Sequence, residues 1–100
     1  MEQYKVKIFP AAQSDLRDIA DYLNTLSPDA AIRYYDLIIE KAGSLATTPE
    51  RCPPAKDTQL RLRGYRTLLV KNYIVFYVIN KETVEIRRIL YARRQFEGLL

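Results

Sequence analysis

The hydrophobic positions at the start of the chain predict a strand with one buried face. Residues 4–9 alternate Tyr, Val and Ile with Lys, which is the period-two pattern of a half-buried strand. The lysines favour a place at the edge of a sheet, because charge on an exposed edge opposes aggregation. Pro10 ends this strand and suits the first turn of a helix.

A first amphipathic helix is predicted over residues 11–26. Its apolar residues recur at spacings of three and four, which places them on one face. Asp15, Arg17 and Asp18 fall outside this apolar stripe. We therefore expect these three charged residues on the solvent side of the helix.

A second helix is predicted to begin immediately after the first. Ser27 is a favourable N-cap, and Pro28 suits the first helical position. The apolar repeat continues to residue 48, where a following proline ends it. On this repeat Tyr35 is predicted to face the core, and Tyr34 to flank it.

Residues 60–94 predict three consecutive strands joined by short turns. The strands are expected at 64–70, 73–79 and 83–91, with Asn72 supplying the positive φ of the first turn. The middle run is β-branched and aromatic without polar alternation, which is typical of a central strand. Because a parallel pair needs a crossover of about a dozen residues or more, these short connections predict antiparallel neighbours.

Together these elements predict an α+β fold in one domain spanning residues 1–100. An N-terminal strand and a helical hairpin precede a three-stranded antiparallel meander, and the hairpin is expected to cover one face of the sheet. Residues 49–59 hold three of the five prolines and predict a surface loop. At Arg87 and Arg88 the alternation of the last strand breaks, so either a bulge shifts the register or one arginine lies at the rim of the core.

Positive charge is concentrated in the predicted sheet. Residues 60–94 carry nine Lys or Arg and two Glu, a balance of +7, whereas the rest of the chain has a balance of −3. Arginine binds phosphate and carboxylate groups bidentately and stacks on bases, which suits a nucleic acid or an acidic protein as partner. The candidate target-binding or phosphate-binding residues are Arg61, Arg63, Arg66, Arg87, Arg88, Arg93 and Arg94.

The composition excludes several kinds of chemistry. The 100 residues include no histidine and a single cysteine, Cys52, so the usual zinc sites and a histidine-based triad are impossible. We expect no metal and no small-molecule cofactor. No apolar run approaches the roughly 18 residues of a membrane span, and the N-terminus lacks the apolar core of a signal peptide, so a cytoplasmic protein is expected.

The order of elements resembles the small toxins of bacterial type II toxin–antitoxin modules, the RelE/ParE superfamily. The resemblance covers nearly the whole chain and depends on the order and spacing of several short motifs. These are Pro10-Ala11-Ala12 followed by Asp15-Leu16, then Ser27-Pro28, Gly64-Tyr65-Arg66, Tyr73-Ile74-Val75-Phe76-Tyr77 and Arg88-Ile89-Leu90-Tyr91 before Arg93-Arg94.

The resemblance implies a growth-inhibiting toxin of a plasmid-stabilisation type of system, with two possible targets. The ending from Arg88 to Arg94 looks more like that of ParE-like toxins, which implies inhibition of DNA gyrase without nuclease activity. The alternative is a RelE-like endoribonuclease that cuts mRNA in the ribosome. For that alternative Arg66 and Arg93 fall near basic catalytic positions and Tyr91 is the candidate base, although the arginine of the central strand is replaced by Tyr73.

The resemblance also implies a protein partner. We expect a cognate antitoxin with an acidic, partly disordered toxin-binding segment that folds on the sheet or the hairpin. A third possibility is an attenuated toxin whose basic face binds only this antitoxin. No membrane partner is expected.

Overall fold

The computed structural model describes residues 3–93 and residue 100, and it confirms the predicted α+β class. Two helices pack on one face of a four-stranded sheet. The elements are β1 (Lys5–Ile8), α1 (Pro10–Leu26), α2 (Pro28–Gly43), the short α3 (Thr58–Leu62), β2 (Tyr65–Val70), β3 (Tyr73–Asn80) and β4 (Thr83–Tyr91).

The strands are ordered β1-β4-β3-β2 across the sheet. The predicted antiparallel meander is formed by β2, β3 and β4, and β1 lies at an edge as its lysines predict. It pairs in parallel with β4, and the pairing begins at Lys5 and ends at Ile8, opposite Ile86. Both β3 and β4 are therefore interior strands, although only β3 has the continuous apolar pattern of one.

Both faces of the sheet are covered, each by a different part of the chain. The face toward α1 and α2 holds the larger core, in which Tyr77, Val75 and Ile86 are almost fully inaccessible. The opposite face holds a smaller cluster around Phe76, and Leu60 of α3 packs onto it. Burial on both faces explains why the alternation of β3 is absent.

Ser27 joins the two long helices without an intervening loop. Its backbone N–H donates to the carbonyl of Leu23 at the end of α1. Its hydroxyl accepts from the backbone N–H of Ala30 at 3.3 Å, and Pro28 occupies the first position of α2. The predicted N-cap is confirmed, and the same residue closes the preceding helix.

The segment between α2 and β2 is more structured than predicted. The second helix ends at Gly43 and is followed by short 3-10 turns at Ser44–Ala46 and Pro49–Arg51. Thr58–Leu62, which overlaps the start of the predicted strand region, is helical. The Asp57 carboxylate caps this helix by accepting from the Leu60 N–H at 3.0 Å. Arg61 and Arg63 consequently lie outside the strands of the sheet.

Tyr34 and Tyr35 exchange the roles predicted for them. The Tyr34 ring packs on the core and meets Tyr73 edge to face at 6.3 Å, whereas Tyr35 is 43% exposed. Tyr34 is partly buried and lies between the buried Ala31 and Ile38, at spacings of three and four residues. Tyr35 stands about 100° away from Tyr34 around the helix, since a helix has 3.6 residues per turn.

The two turns of the meander place lysine in the left-handed region. Lys71 has φ 55° and Lys81 has φ 58°, and each is the first residue of a two-residue turn. The first central position of such turns requires positive φ. The prediction that Asn72 supplies this angle is therefore wrong by one position.

A bulge in β4 resolves the break at Arg87 and Arg88. Ile86 pairs with Tyr77 and Arg88 pairs with Phe76, so Arg87 is the extra residue. After the bulge, Ile89 joins Ile86 on the face toward the helices. Both of the predicted alternatives apply, because Arg88 also lies partly buried at the edge of the core.

Arg88 forms a bidentate ion pair with Asp15 of α1. Its Nε and Nη2 atoms lie 2.8 Å from the two carboxylate oxygens, and Asp15 Oδ2 also accepts from the backbone N–H of Ile89 at 2.9 Å. The expectation that Asp15 faces solvent is wrong, since this residue is only 8% exposed. Because a carboxylate needs strong partners when it is buried, three donors at this position hold α1 on β4.

Within residues 3–93, no helix is long and apolar enough to cross a membrane.

We predict that Asp15→Asn lowers the free energy of unfolding by about 3 kcal/mol, because it leaves the Arg88 guanidinium partly buried without its counter-ion. Urea unfolding measures the loss. The control is Asp18→Asn, which removes the same charge from an exposed position of α1 and is expected to change stability by less than about 0.5 kcal/mol. Equal losses in the two variants would contradict a special role for the ion pair.

Candidate functional site

The predicted arginine surface divides into groups with different surroundings. Three of its members line one shallow cleft of about 290 Å³, formed where β4 passes the end of β1 and the end of α3. Phe9, Tyr65 and Leu100 contribute to its walls. The three arginines of this cleft are Arg63, Arg87 and Arg88.

Two of these three guanidinium groups are neutralised within the fold. Arg88 is paired with Asp15, as described above, and this hydrogen bond raises the pKa of the Arg88 guanidinium. Arg87 donates to one carboxylate oxygen of Glu85 through Nε at 3.0 Å and Nη2 at 2.7 Å. It also stacks over the Phe9 ring at 4.7 Å. The cation–π contact and the ion pair together hold Arg87 against the end of β1.

Glu85 is consequently held as a carboxylate. The hydrogen bonds from Arg87, followed by the one from Asn80 at 3.1 Å, keep the pKa of Glu85 below its usual value. A lowered pKa means that the ionised form is favoured in the folded state. The pair thus holds Arg87 in place in the cleft wall.

Arg63 is the one cleft arginine without a carboxylate side-chain partner among the described residues. Its guanidinium lies 5.3 Å from the centre of the Tyr65 ring and donates to the Leu100 carbonyl at 3.0 Å. Tyr65 is the only described lining residue, apart from the arginines, that can exchange a proton.

Arg66 lies apart from the cleft and stabilises the segment before α3. Its Nη1 donates to the carbonyl of Cys52 at 2.6 Å and to that of Glu50 at 3.3 Å. In the same region the buried Tyr77 hydroxyl donates to the Pro49 carbonyl at 2.6 Å, and burial raises the pKa of Tyr77. Backbone pairing of residues 53–55 with the outer edge of β2 completes this attachment.

The remaining candidates are spread over other parts of the surface. Arg61 makes long hydrogen bonds of 3.4 and 3.5 Å to the Lys56 carbonyl and the Thr58 hydroxyl, and its charge has no carboxylate partner among the described residues. Arg93 is exposed just beyond β4. Arg94 lies outside the residues that the structure describes.

Tyr91, the candidate base, lies at the end of β4 and away from the cleft. Its ring meets Tyr73 edge to face at 5.8 Å, and the side chain is 43% exposed. It faces a groove beside α1, whereas the cleft arginines lie in a different depression. The structure therefore separates Tyr91 from Arg63 and Arg66, and roles for these residues toward a target stay predictions.

Sequence reasoning missed the contribution of Asp15, although a signal for it was present. Of two adjacent arginines in a strand with one acidic residue, Glu85, at least one requires a further acceptor or counter-ion if it is buried. The helix that packs on that strand carries acidic residues at Asp15 and Asp18, of which only Asp15 lies within reach of Arg88. Within residues 3–93 and residue 100, no three metal-ligating side chains come together.

Comparisons with known proteins agree with this architecture. Residues 6–96 match the family described as the ParE toxin of the type II toxin–antitoxin system parDE. Among solved structures, a chain of the chromosomal ParDE toxin–antitoxin system from P. aeruginosa superposes with a TM-score of 0.78 and 20% identity, covering 91% of this chain and 98% of that one. A chain of a RelBE toxin–antitoxin complex from Mycobacterium tuberculosis gives 0.64 and 24%, covering 89% and 98%. No curated protein sequence matches the chain.

We predict that Arg66→Ala destabilises the fold by about 1–3 kcal/mol, because it leaves the carbonyls of Glu50 and Cys52 without this donor. Arg61→Ala is the matched control, since its hydrogen bonds are long and exposed, and we expect a change within about 0.5 kcal/mol. Urea unfolding followed by circular dichroism distinguishes them. A variant of Arg66 as stable as the control would disprove the structural role.

The contribution of the Glu85–Arg87 pair to stability is expected to depend on pH. The pKa of Glu85 is lower in the folded state than in the unfolded state. Its interaction with Arg87 therefore stabilises the fold at pH values above the unfolded-state pKa. This contribution is lost as the pH falls through the folded-state pKa. Wild type should thus exceed Glu85→Gln in stability at about pH 7, and the two should converge at about pH 3. Glu82→Gln, in the neighbouring turn, should match wild type at both values. A difference that persists in acid would contradict the prediction.

Proposed function

Because the chain belongs to the ParE toxin family of type II toxin–antitoxin systems, we propose that it is a growth-inhibiting toxin that acts on DNA gyrase as a binding protein. Its neutralisation by a cognate antitoxin is part of the same proposal. In this proposal the target is bound by surface side chains, and no covalent chemistry takes place on the toxin.

The observation that carries the choice of gyrase over RNA cleavage is that Arg66 and Tyr91, two of the three candidate nuclease residues, are held in separate parts of the fold. Cleavage by 2′-hydroxyl attack requires a base and a cation that stabilises the charge on the phosphate. Of the two basic candidates, Arg66 donates to two backbone carbonyls, whereas Arg93 is exposed. Tyr91 is the candidate base, and it does not line the cleft with Arg63.

The cations that keep their charge available are the better candidates for target binding. Arg61, Arg63 and Arg93 have no carboxylate side-chain partner among the described residues. Charges of this kind act mainly by accelerating association and by selecting an acidic partner. We propose that these three residues contribute to the target-binding surface.

The same charges support an antitoxin with an acidic segment. The solved relatives are chains of toxin–antitoxin complexes, and this chain carries a net charge of +4. A segment rich in Asp and Glu, partly disordered when free, would complement Arg61 and Arg63 and would fold as it binds.

The proposal is tested with purified components. In a gyrase supercoiling assay the protein should inhibit the enzyme, and Tyr91→Phe should inhibit equally, since no proton transfer by Tyr91 is involved. A double variant, Arg61→Glu with Arg63→Glu, should need about tenfold more protein for the same inhibition at low salt. Lys81→Glu and Lys71→Glu together provide the control, because they reverse the same number of charges in the two turns of the meander.

Primer extension on a defined mRNA in a purified translation system decides between the targets. We expect uncut message. Ribosome-dependent cuts that Tyr91→Phe and Arg93→Ala abolish, together with normal gyrase activity, would overturn the proposal in favour of an endoribonuclease. Unimpaired growth on expression of the toxin alone would instead indicate an attenuated toxin that only binds its antitoxin.

A further inference from the structure

A groove at the C-terminal end of β4 shares no described lining residue with the basic cleft. It has a volume of about 610 Å³ and lies between α1 and the adjoining ends of β3 and β4. Volumes of roughly 300–1,000 Å³ are usual for small-molecule sites. Its polar lining consists of Asp15, Asp18, Tyr22, Tyr34, Asn72, Tyr73 and Tyr91.

Four tyrosines converge in this groove. Tyr73 forms its floor, being 7% exposed, and the rings of Tyr34 and Tyr91 meet it edge to face at 6.3 and 5.8 Å. Tyr22 stands at the rim and is 62% exposed. Burial raises the pKa of Tyr73, and the phenols of Tyr34, Tyr22 and Tyr91 raise it further. All four rings line the same groove.

The groove is acidic in an otherwise basic protein. Of its two carboxylates, Asp15 is neutralised by Arg88, whereas Asp18 is exposed and has no ion pair among the described residues. None of the described residues that line the groove is a lysine or an arginine. The local charge therefore favours a cation and opposes a phosphate or a carboxylate.

We propose that this groove binds an aliphatic polyamine, a small molecule whose ammonium groups are separated by methylene chains. An ammonium group carries three donors and no acceptor. The Asp18 carboxylate accepts a charge-assisted hydrogen bond from it, the phenol oxygens accept others, and the exposed tyrosine faces provide cation–π contacts.

The apolar part of the groove accommodates the methylene chain. Ile19, Leu23 and Leu26 continue the lining along α1 beyond Asp18. From Asp18 to Leu26 the helix rises about 12 Å, at roughly 1.5 Å per residue. A carboxylate at one end of an aromatic and aliphatic wall matches an ammonium group followed by hydrocarbon, which is the repeating unit of a polyamine.

The test is isothermal titration calorimetry of the full chain with spermidine at low ionic strength. We expect saturable binding of one molecule per chain with a Kd at or below about 1 mM. Asp18→Asn should weaken binding about tenfold or more through loss of the charged acceptor. Tyr22→Ala should weaken it about threefold through loss of an exposed cation–π face.

Asp21→Asn is the matched control, because Asp21 is an exposed carboxylate of the same helix that does not line the groove. Its affinity should equal that of wild type, and circular dichroism checks that each variant is folded. Absence of saturable heat at ten times the expected Kd would overturn the proposal. So would equal weakening by Asp18→Asn and Asp21→Asn, or equal binding of the neutral 1,8-octanediol. Gyrase inhibition is measured separately, so failure of one proposal leaves the other intact.

Discussion

The Asp15 carboxylate is the contact on which the arrangement of α1 and β4 depends. β1 stops pairing with β4 at Ile86, although β4 continues to Tyr91. Beyond that point no strand of the described residues lies beside the edge of β4, and the N–H of Ile89 is buried. An unsatisfied donor of this kind costs about 1–3 kcal/mol. Asp15 accepts from it and neutralises Arg88 at the same time.

The bulge in β4 and the ion pair between Arg88 and Asp15 depend on each other. The extra residue at Arg87 returns Ile89 to the face that the helices cover and allows Arg88 to reach α1. Without the bulge, the simple alternation of β4 would place Arg88 with Val84 and Ile86, in the apolar core. Burial of a guanidinium among aliphatic side chains is costly unless it is paired. A local irregularity of the strand thus brings charge to the edge of the core, where a partner is available.

Much of the fold follows from periodicity and from caps. The N-cap Ser27 and the central strand β3 were predicted correctly, because each is determined by the chemistry of a short local segment. The errors occur where contacts between distant parts of the chain determine the local structure. Tyr34 and Tyr35 differ only in their rotation about a helix axis, and Thr58–Leu62 is too short for its periodicity to be recognised against a neighbouring strand.

The surroundings of the predicted site residues could not be derived from the sequence, for a chemical reason. The guanidinium group that binds a phosphate binds a backbone carbonyl, an aromatic face or a carboxylate of its own chain equally readily. Arg66, Arg87 and Arg88 do so here, and a count of arginines in a sequence does not distinguish them from Arg61 or Arg93. The tyrosine groove was missed because its members come from α1, α2, β3 and β4, which only the folded chain brings together.

The direct connection of α1 and α2 through Ser27 restricts where residues can be inserted or deleted. One residue ends α1 and begins α2, so an inserted residue would have to be absorbed within a helix and would rotate the following positions by about 100°. Ile38 and Ala42 would then turn away from the sheet. Insertions are absorbed far more easily between Thr47 and Asp57, where short turns follow one another. Variation in length is therefore expected to concentrate before α3, while the two long helices keep a constant separation in sequence.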